Sequence, residues 1–221
     1  MISHTERPLI PREATRTVVR ERLYDRILRG KLAPGGPIRL DDAAAALGVS
    51  VTPVREALIE LEVNGIVEMS LGRGFRVTPL AVAEVTDVYP LIWTLECFAL
   101  KQAPHLGPKR LQALEEINGR LVAQSADPVK AVELDEAWHD ALLQDSGNAL
   151  ALEQLRMLKR RVRRYEVRFM SATGTRPSAD QHETIIQALR EGRREDALTA
   201  LERNWRTGPE LLVPWLEMEG G

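Results

Sequence analysis

The sequence predicts a mainly α protein in two parts, a small N-terminal helical unit closed by one β-hairpin and a C-terminal antiparallel bundle of six or seven helices. Three observations carry this. Leu, Ala, Arg and Glu recur at helical spacing throughout a chain of 221 residues with only 5% aromatics. The one pair of short β-type runs brackets the turn Ser70-Leu-Gly-Arg-Gly74. Thr78-Pro79-Leu80 separates two periodic regions, because Pro79 resists continuing a strand and a new helical pattern begins just after it. At 44% hydrophobic and 28% charged, the chain has enough apolar residues for two modest cores.

Residues 1–11 are polar, hold Pro8 and Pro11 and lack periodicity, which predicts a mobile arm. From Thr15, the positions Val18, Val19, Leu23, Ile27 and Leu28 mark one helix face, ended by Gly30. Pro34-Gly-Gly-Pro37 reads as a turn. A second, Ala-rich helix starts at Leu40 or Asp41 and stops at Gly48. Thr52 is expected to cap a third helix, with Ser50 beside it, whose inner face carries Val54, Leu58 and Leu61 and which ends at Asn64-Gly65. Two short helices about a Gly-Val-Ser turn form a helix-turn-helix. Ile66–Met69 and Phe75–Val77 make the hairpin beside it, so residues 12–78 read as a winged helix-turn-helix, 79–81 as a linker and 82–218 as the helical bundle. Breaks in the bundle are expected near Pro104–Pro108, Asp127-Pro128, Ser146–Asn148, Thr173–Pro177, Gly192 and Gly208-Pro209. Pro90 should start or kink the first helix.

The N-terminus has no apolar leader and no run is long enough to cross a bilayer, which predicts a cytoplasmic protein without a membrane partner. The formal net charge of -2 argues against a polyanionic partner until the chain is divided. Residues 11–80 hold eleven Lys/Arg against nine Asp/Glu, whereas 81–221 hold eighteen against twenty-two. The positive balance sits with the helix-turn-helix. Cys97, the single cysteine, cannot form an internal disulfide and is expected to be a buried packing residue.

The third helix points to chemistry. It opens with hydroxyl residues, carries Pro53 in its first turn and then presents Arg55, a pattern suited to phosphates and base edges. The order of helix, Pro-Gly turn, VSVTPVREAL (49–58) and GRGFRV (72–77) resembles the winged helix-turn-helix of the GntR family of bacterial transcription regulators. Further on, Asp135-Glu-Ala-Trp-His139, Ser146-Gly-Asn148 and Gln181-His182-Glu183 resemble the all-helical FCD effector domain of the FadR subfamily. The resemblance covers about residues 14–215. It implies a ligand-responsive regulator, a repressor rather than an enzyme, that binds double-stranded DNA as a homodimer on a short palindrome, with effector binding and dimerisation in the bundle. Arg55 then occupies the position that forks onto guanine, Arg39 touches DNA from just before the second helix, and Ser50 and Thr52 bind phosphates. Gly72 and Arg73 form the wing tip. Val51 departs from the arginine many relatives carry there, which implies a different operator.

Asp135 and His139, four residues apart, leave one face of a helix and suit a divalent metal. The resemblance adds two histidines to such a pair, and His182 matches the first. The second falls at Asn204, whose carbonyl oxygen favours harder ions such as manganese over zinc or nickel. The other reading is a hydrogen-bonded polar cluster without metal, as in members that bind a coenzyme A thioester. Relatives that bind small carboxylates place an arginine where this chain has Leu91-Ile92-Trp93, which implies a larger or less acidic effector. Trp93 and Trp138 are expected to pack, and Lys159–Arg164 to form a solvated or interface face. His4 and His105 have no partners at ligand spacing. Two rivals remain. A metal-dependent hydrolase would need a base that Glu136 and Asp140, around the helix from Asp135 and His139, do not supply; a winged-helix protein-interaction module would not need Arg55.

Overall fold

The computed structural model describes residues 12–70, 74–174 and 179–219. The expected arm, the wing-tip residues Gly72 and Arg73, and residues 175–178 lie outside the described residues. Backbone contacts divide the chain into two units between Pro79 and Leu80. No helix among the described residues is long and apolar enough to cross a membrane.

The first unit runs α1 (Arg12–Leu28), β1 (Pro37–Ile38), α2 (Leu40–Leu47), α3 (Val51–Val63), β2 (Val67–Ser70) and β3 (Gly74–Val77). Its core joins Val19, Leu23, Tyr24, Ile27 and Leu28 of α1 to Val54, Ala57, Leu58 and Leu61 of α3. Val18, expected on the buried face, is half exposed, and Tyr24 takes that role instead. Glu60 of α3 binds both Arg16 and Arg20 of α1, at 2.5 and 2.7 Å. Gly48 ends α2 at φ 67°, a left-handed position that suits glycine, where its N–H donates to the Ala44 and Ala45 carbonyls.

Two local expectations fail here. Helix α3 begins at Val51 with Ser50 in the N-cap position, and no side chain caps it, so Thr52 is the second helical residue rather than the cap. The Pro34–Pro37 turn is also shorter than expected. Pro37 and Ile38 form a third strand on the hairpin, giving an antiparallel sheet of order β1-β3-β2 with Ile38 opposite Phe75 and Met69 opposite Phe75 on the other side. Two residues are too few to show a period of two, so pattern alone does not reveal β1. Phe75 and Val77 are buried while Arg76, between them, pairs outward with Glu68.

The second unit contains six helices among the described residues: α4 (Val82–Gln102), α5 (Pro108–Ala123), α6 (Pro128–Leu143), α7 (Ala149–Thr173), α8 (Ala179–Arg190) and α9 (Arg194–Glu219). Their starts follow local chemistry. Asp127 accepts from the Val129 and Lys130 amides ahead of Pro128, and Asn148 accepts from the Ala151 amide. The principal packings are α4 on α9, α8 on α9, α5 on α6, and α4 on α7.

Gly208-Pro209 is not a break, because α9 continues through Pro209 and Pro214. Leu201, Trp205, Leu212 and Trp215 are buried along one side of it, and this burial outweighs the roughly 3 kcal/mol that an interior proline costs. Gly208 has a packing role: a Cβ there would lie 2.4 Å from Cε1 of Tyr89 on α4. Pro90 sits inside α4 rather than starting it. Near the start of α4, Glu84 binds Arg161 at 2.8 Å and also Arg164. The Tyr165 hydroxyl donates to Glu84 at 2.5 Å and accepts from the Ala81 amide at 3.0 Å. Cys97, expected to be buried, is half-buried against the Leu198 carbonyl, and burial pushes its thiol up to about 11.

Candidate functional site

Two regions concentrate the candidate residues, one in each unit. In the first, the N-terminal end of α3 presents Ser50, Thr52 and Arg55 to solvent, while Val54, Ala57, Leu58 and Leu61 hold its other face in the core. With no side-chain cap, the Ser50 hydroxyl and the first-turn amides stay available to an anion. Arg16, Arg20, Arg29 and Arg76 are tied to acidic side chains. Arg55 and Arg39 are exposed and form no ion pair among the described residues. Arg39 occupies the N-cap position of α2. A solvated guanidinium keeps its full hydrogen-bonding capacity for a partner, whereas the four engaged arginines would first have to break a contact. The sequence-level charge excess is thus partly consumed within the fold.

In the second unit, a cavity of about 320 Å³ is lined from five helices, α4, α6, α7, α8 and α9. Val132, Phe169, Met170, Leu211 and Leu212 form its apolar wall. Asp135, His139, Glu166, Gln181, Asn204 and Thr207 supply polar groups. Asp135 and His139 emerge one turn apart on α6, and α8 brings His182 against them: Asp135 Oδ1 lies 3.4 Å from His182 Nε2, and Asp135 Oδ2 lies 3.8 Å from His139 Nε2. Donor atoms of the three all fall within 4.8 Å of one another. Two ligands at about 2.1 Å from a shared tetrahedral ion are about 3.4 Å apart, so the separations from Asp135 already match and the widest one must close by roughly an ångström.

The protonation pattern fits the same role. Asn118 Nδ2 donates to the Ala179 carbonyl at 3.0 Å, which leaves Asn118 Oδ1 to accept from His182 Nδ1 at 3.1 Å. His182 Nε2 is therefore a bare lone pair, fully buried and without a hydrogen-bond partner. Burial first, and His139 second, hold the His182 pKa well below the usual histidine range, which keeps the ring in its ligating neutral form. The Trp138 ring stacks on His182 at 3.8 Å between centroids and fixes its plane. His139 Nδ1 donates to Glu96 Oε2 at 2.8 Å and so turns its own Nε2 to the cavity. Burial raises the Asp135 pKa, and His139 and Lys159 only partly offset it. These residues fit a divalent metal. Asn204 lines the same cavity, with its Nδ2 donating to Gln181 Oε1 at 2.8 Å.

Sequence reasoning missed the support beneath this cluster. Glu96 is fully buried, accepts from Trp205 Nε1 at 2.6 Å as well as from His139, and lies 2.6 Å from Lys159 Nζ. Burial opposes its charge, yet His139 and Lys159 together outweigh that and hold its carboxyl down at about 2. The run from Lys159 to Arg164 is correspondingly not a solvated face: Lys159 is 3% and Arg164 4% exposed, Lys159 committed to the buried Glu96 and Arg164 to the largely covered Glu84. A signal existed. Glu96 is a lone acid inside the apolar stretch Leu91–Leu100, and Lys159 falls in the buried series Leu155, Lys159, Val162 at helical spacing. Trp93 is half-buried under the Arg206 guanidinium at 4.6 Å, outside the cavity lining.

Residues 15–77 match the model of the bacterial regulatory proteins of the gntR family, and residues 87–207 match the FCD domain. The chain belongs to the GntR family. It is 30% identical over 212 residues to the HTH-type regulator BphR of Paraburkholderia xenovorans, covering 89% of this chain and 80% of the relative. It is 31% identical over 196 residues to a probable D-xylose utilization operon repressor of Paenarthrobacter nicotinovorans, covering 85% of each. A GntR regulator structure from Rhodococcus sp. RHA1 superposes with a TM-score of 0.76 at 24% identity, over 90% of this chain and 97% of that one, and supports the fold. Membership of the GntR family with an FCD domain makes the chain a DNA-binding transcription regulator with an effector domain, not an enzyme. The hydrolase alternative fails on geometry as well, since Glu136 is bound to Arg163 at 2.9 Å and Asp140 lies 3.5 Å from Lys159.

Proposed function

We propose that this GntR regulator is a ligand-responsive repressor that reads a short palindromic operator as a homodimer in the cytoplasm. Residues 12–78 form its reading domain, 79–81 the linker, and 82–218 the effector-binding and dimerisation domain. The repressor assignment follows the D-xylose operon relative. The observation that carries DNA reading is Arg55, exposed on the first turns of α3 and free of any ion pair among the described residues. It forks onto guanine, while Arg39, Ser50 and Thr52 fix the register on phosphates and Gly72 and Arg73 reach the adjacent groove. Replacing Arg55 by Ala removes a bidentate base contact. Operator affinity, measured by gel shift on DNA selected from a random pool, is expected to fall about 10- to 100-fold with helicity and oligomeric state unchanged. Wild-type affinity in that variant sinks the assignment.

The bare, buried Nε2 of His182 supports a divalent ion at Asp135, His139 and His182, with Asn204 or water completing the shell. The ion would offer an open position to an effector entering the cavity. Manganese suits the oxygen of Asn204, and zinc or nickel suit the two imidazoles. Metal analysis of the purified protein should find one divalent ion per chain that His139→Ala removes. An ion-free wild type with no thermal shift on adding manganese, zinc or nickel rejects the site.

A further inference from the structure

We propose that the cavity of the second unit takes an amine, an effector with an apolar body and a protonated nitrogen directed at Glu166. This rests on the reading above that the cavity is the effector site. Glu166 projects into it from α7 and accepts from the Tyr89 hydroxyl at 2.7 Å on one oxygen. Its other oxygen has no partner among the described residues. No lysine or arginine occurs among the described residues that line the cavity, although Asp135 adds a second carboxylate. The buried cations Lys159 and Arg164 are not in the lining, and Lys159 is already bound to Glu96 at 2.6 Å and Arg164 to Glu84.

Glu166 and Asp135 face one cavity with no lysine or arginine among its described lining residues, and burial first, then Asp135, push Glu166 up to about 7, with the Tyr89 hydrogen bond and His139 only partly offsetting this. A divalent ion on Asp135 and two neutral imidazoles leaves one net positive charge, equal and opposite to Glu166, but supplies no N–H or O–H donor to the second Glu166 oxygen. A carboxylate effector would place its charge on the ion and then bring its remainder against Glu166; an amine completes the missing half of a charge-assisted hydrogen bond. Val132, Phe169, Met170 and Leu212 receive the hydrocarbon. A volume of about 320 Å³ lies at the small end of ligand cavities.

The test uses calorimetry on the full chain at pH 8, where Glu166 is charged, with phenethylamine, 2-phenylethanol and 3-phenylpropionate as matched probes. The amine is expected to bind about tenfold or more tightly than the carboxylate. Glu166→Gln should erase that preference and leave the alcohol unaffected. The ranking in the unmodified protein decides the matter without any substitution. Equal or tighter binding of 3-phenylpropionate overturns the amine assignment alone, and loss of that binding in His139→Ala would keep the effector site standing with the ion as its anchor. Absence of binding by all three probes removes both readings.

Discussion

Replacing Gly208 by Ala sets helix propensity against packing, and the geometry decides the sign. Alanine is favoured over glycine inside a helix by about 1 kcal/mol. The new Cβ would lie 2.4 Å from Cε1, 2.9 Å from Cζ and 3.1 Å from the hydroxyl oxygen of Tyr89. Ordinary contacts are about 3.5–4.0 Å, so the ring must retreat by roughly 1 Å. Tyr89 is 1% exposed, lies against Trp205 and donates to Glu166, and it cannot move without loosening both contacts. Overpacking costs about 1–3 kcal/mol and the weakened hydrogen bond about 1 kcal/mol. The net expectation is a loss of about 1–3 kcal/mol, a fall in Tm of roughly 2–12 °C for a chain of this size. A double-mutant cycle with Tyr89→Leu isolates the cause: with the ring gone, Gly208→Ala should become neutral or stabilising. Stabilisation in the wild-type background, or the same loss in both backgrounds, would refute the close-approach explanation.

Two further outcomes follow from the buried acids. Glu96→Gln keeps an acceptor for His139 but strands the Lys159 charge, and metal affinity in a chelator competition should fall about 10- to 100-fold; an unchanged affinity would show that Glu96 does not orient the ligand. Glu166, raised to about 7 by burial and by Asp135, binds its proton more tightly folded than unfolded, so its contribution is complete below about 4.5 and lost as pH rises through about 7. Urea unfolding of the metal-free protein should therefore show Glu166→Gln gaining about 2–3 kcal/mol on wild type between pH 5 and pH 8, and a pH-independent difference would contradict the buried carboxyl.

The helix order was readable because its punctuation is local. Gly48, Gly65, the Asp127-Pro128 start and the Asn148 cap act on their own neighbours, and each can be recognised within a few residues. The errors arise where a distant partner decides. Gly208-Pro209 looks like a break until Tyr89 is known to lie against it, and Lys159 looks solvated until Glu96 is placed below it. The same division runs through the candidate site. The spacing of Asp135 and His139 follows from helical geometry alone, and His182 joins them through resemblance. Nothing in the spacing announces that Asn118 and Glu96 would orient both imidazoles, because each contact spans more than forty residues of chain.

Three consecutive residues of α7 face three different duties. Arg164 and Tyr165 grip Glu84 and Ala81, the opening residues of the second unit, while Glu166 supplies the carboxyl of the cavity. Because one helical turn carries all three, the two grips cannot be adjusted independently. The cavity wall and the opening residues of the second unit thus depend on one and the same helical turn, so a substitution that shifts this turn alters both at once.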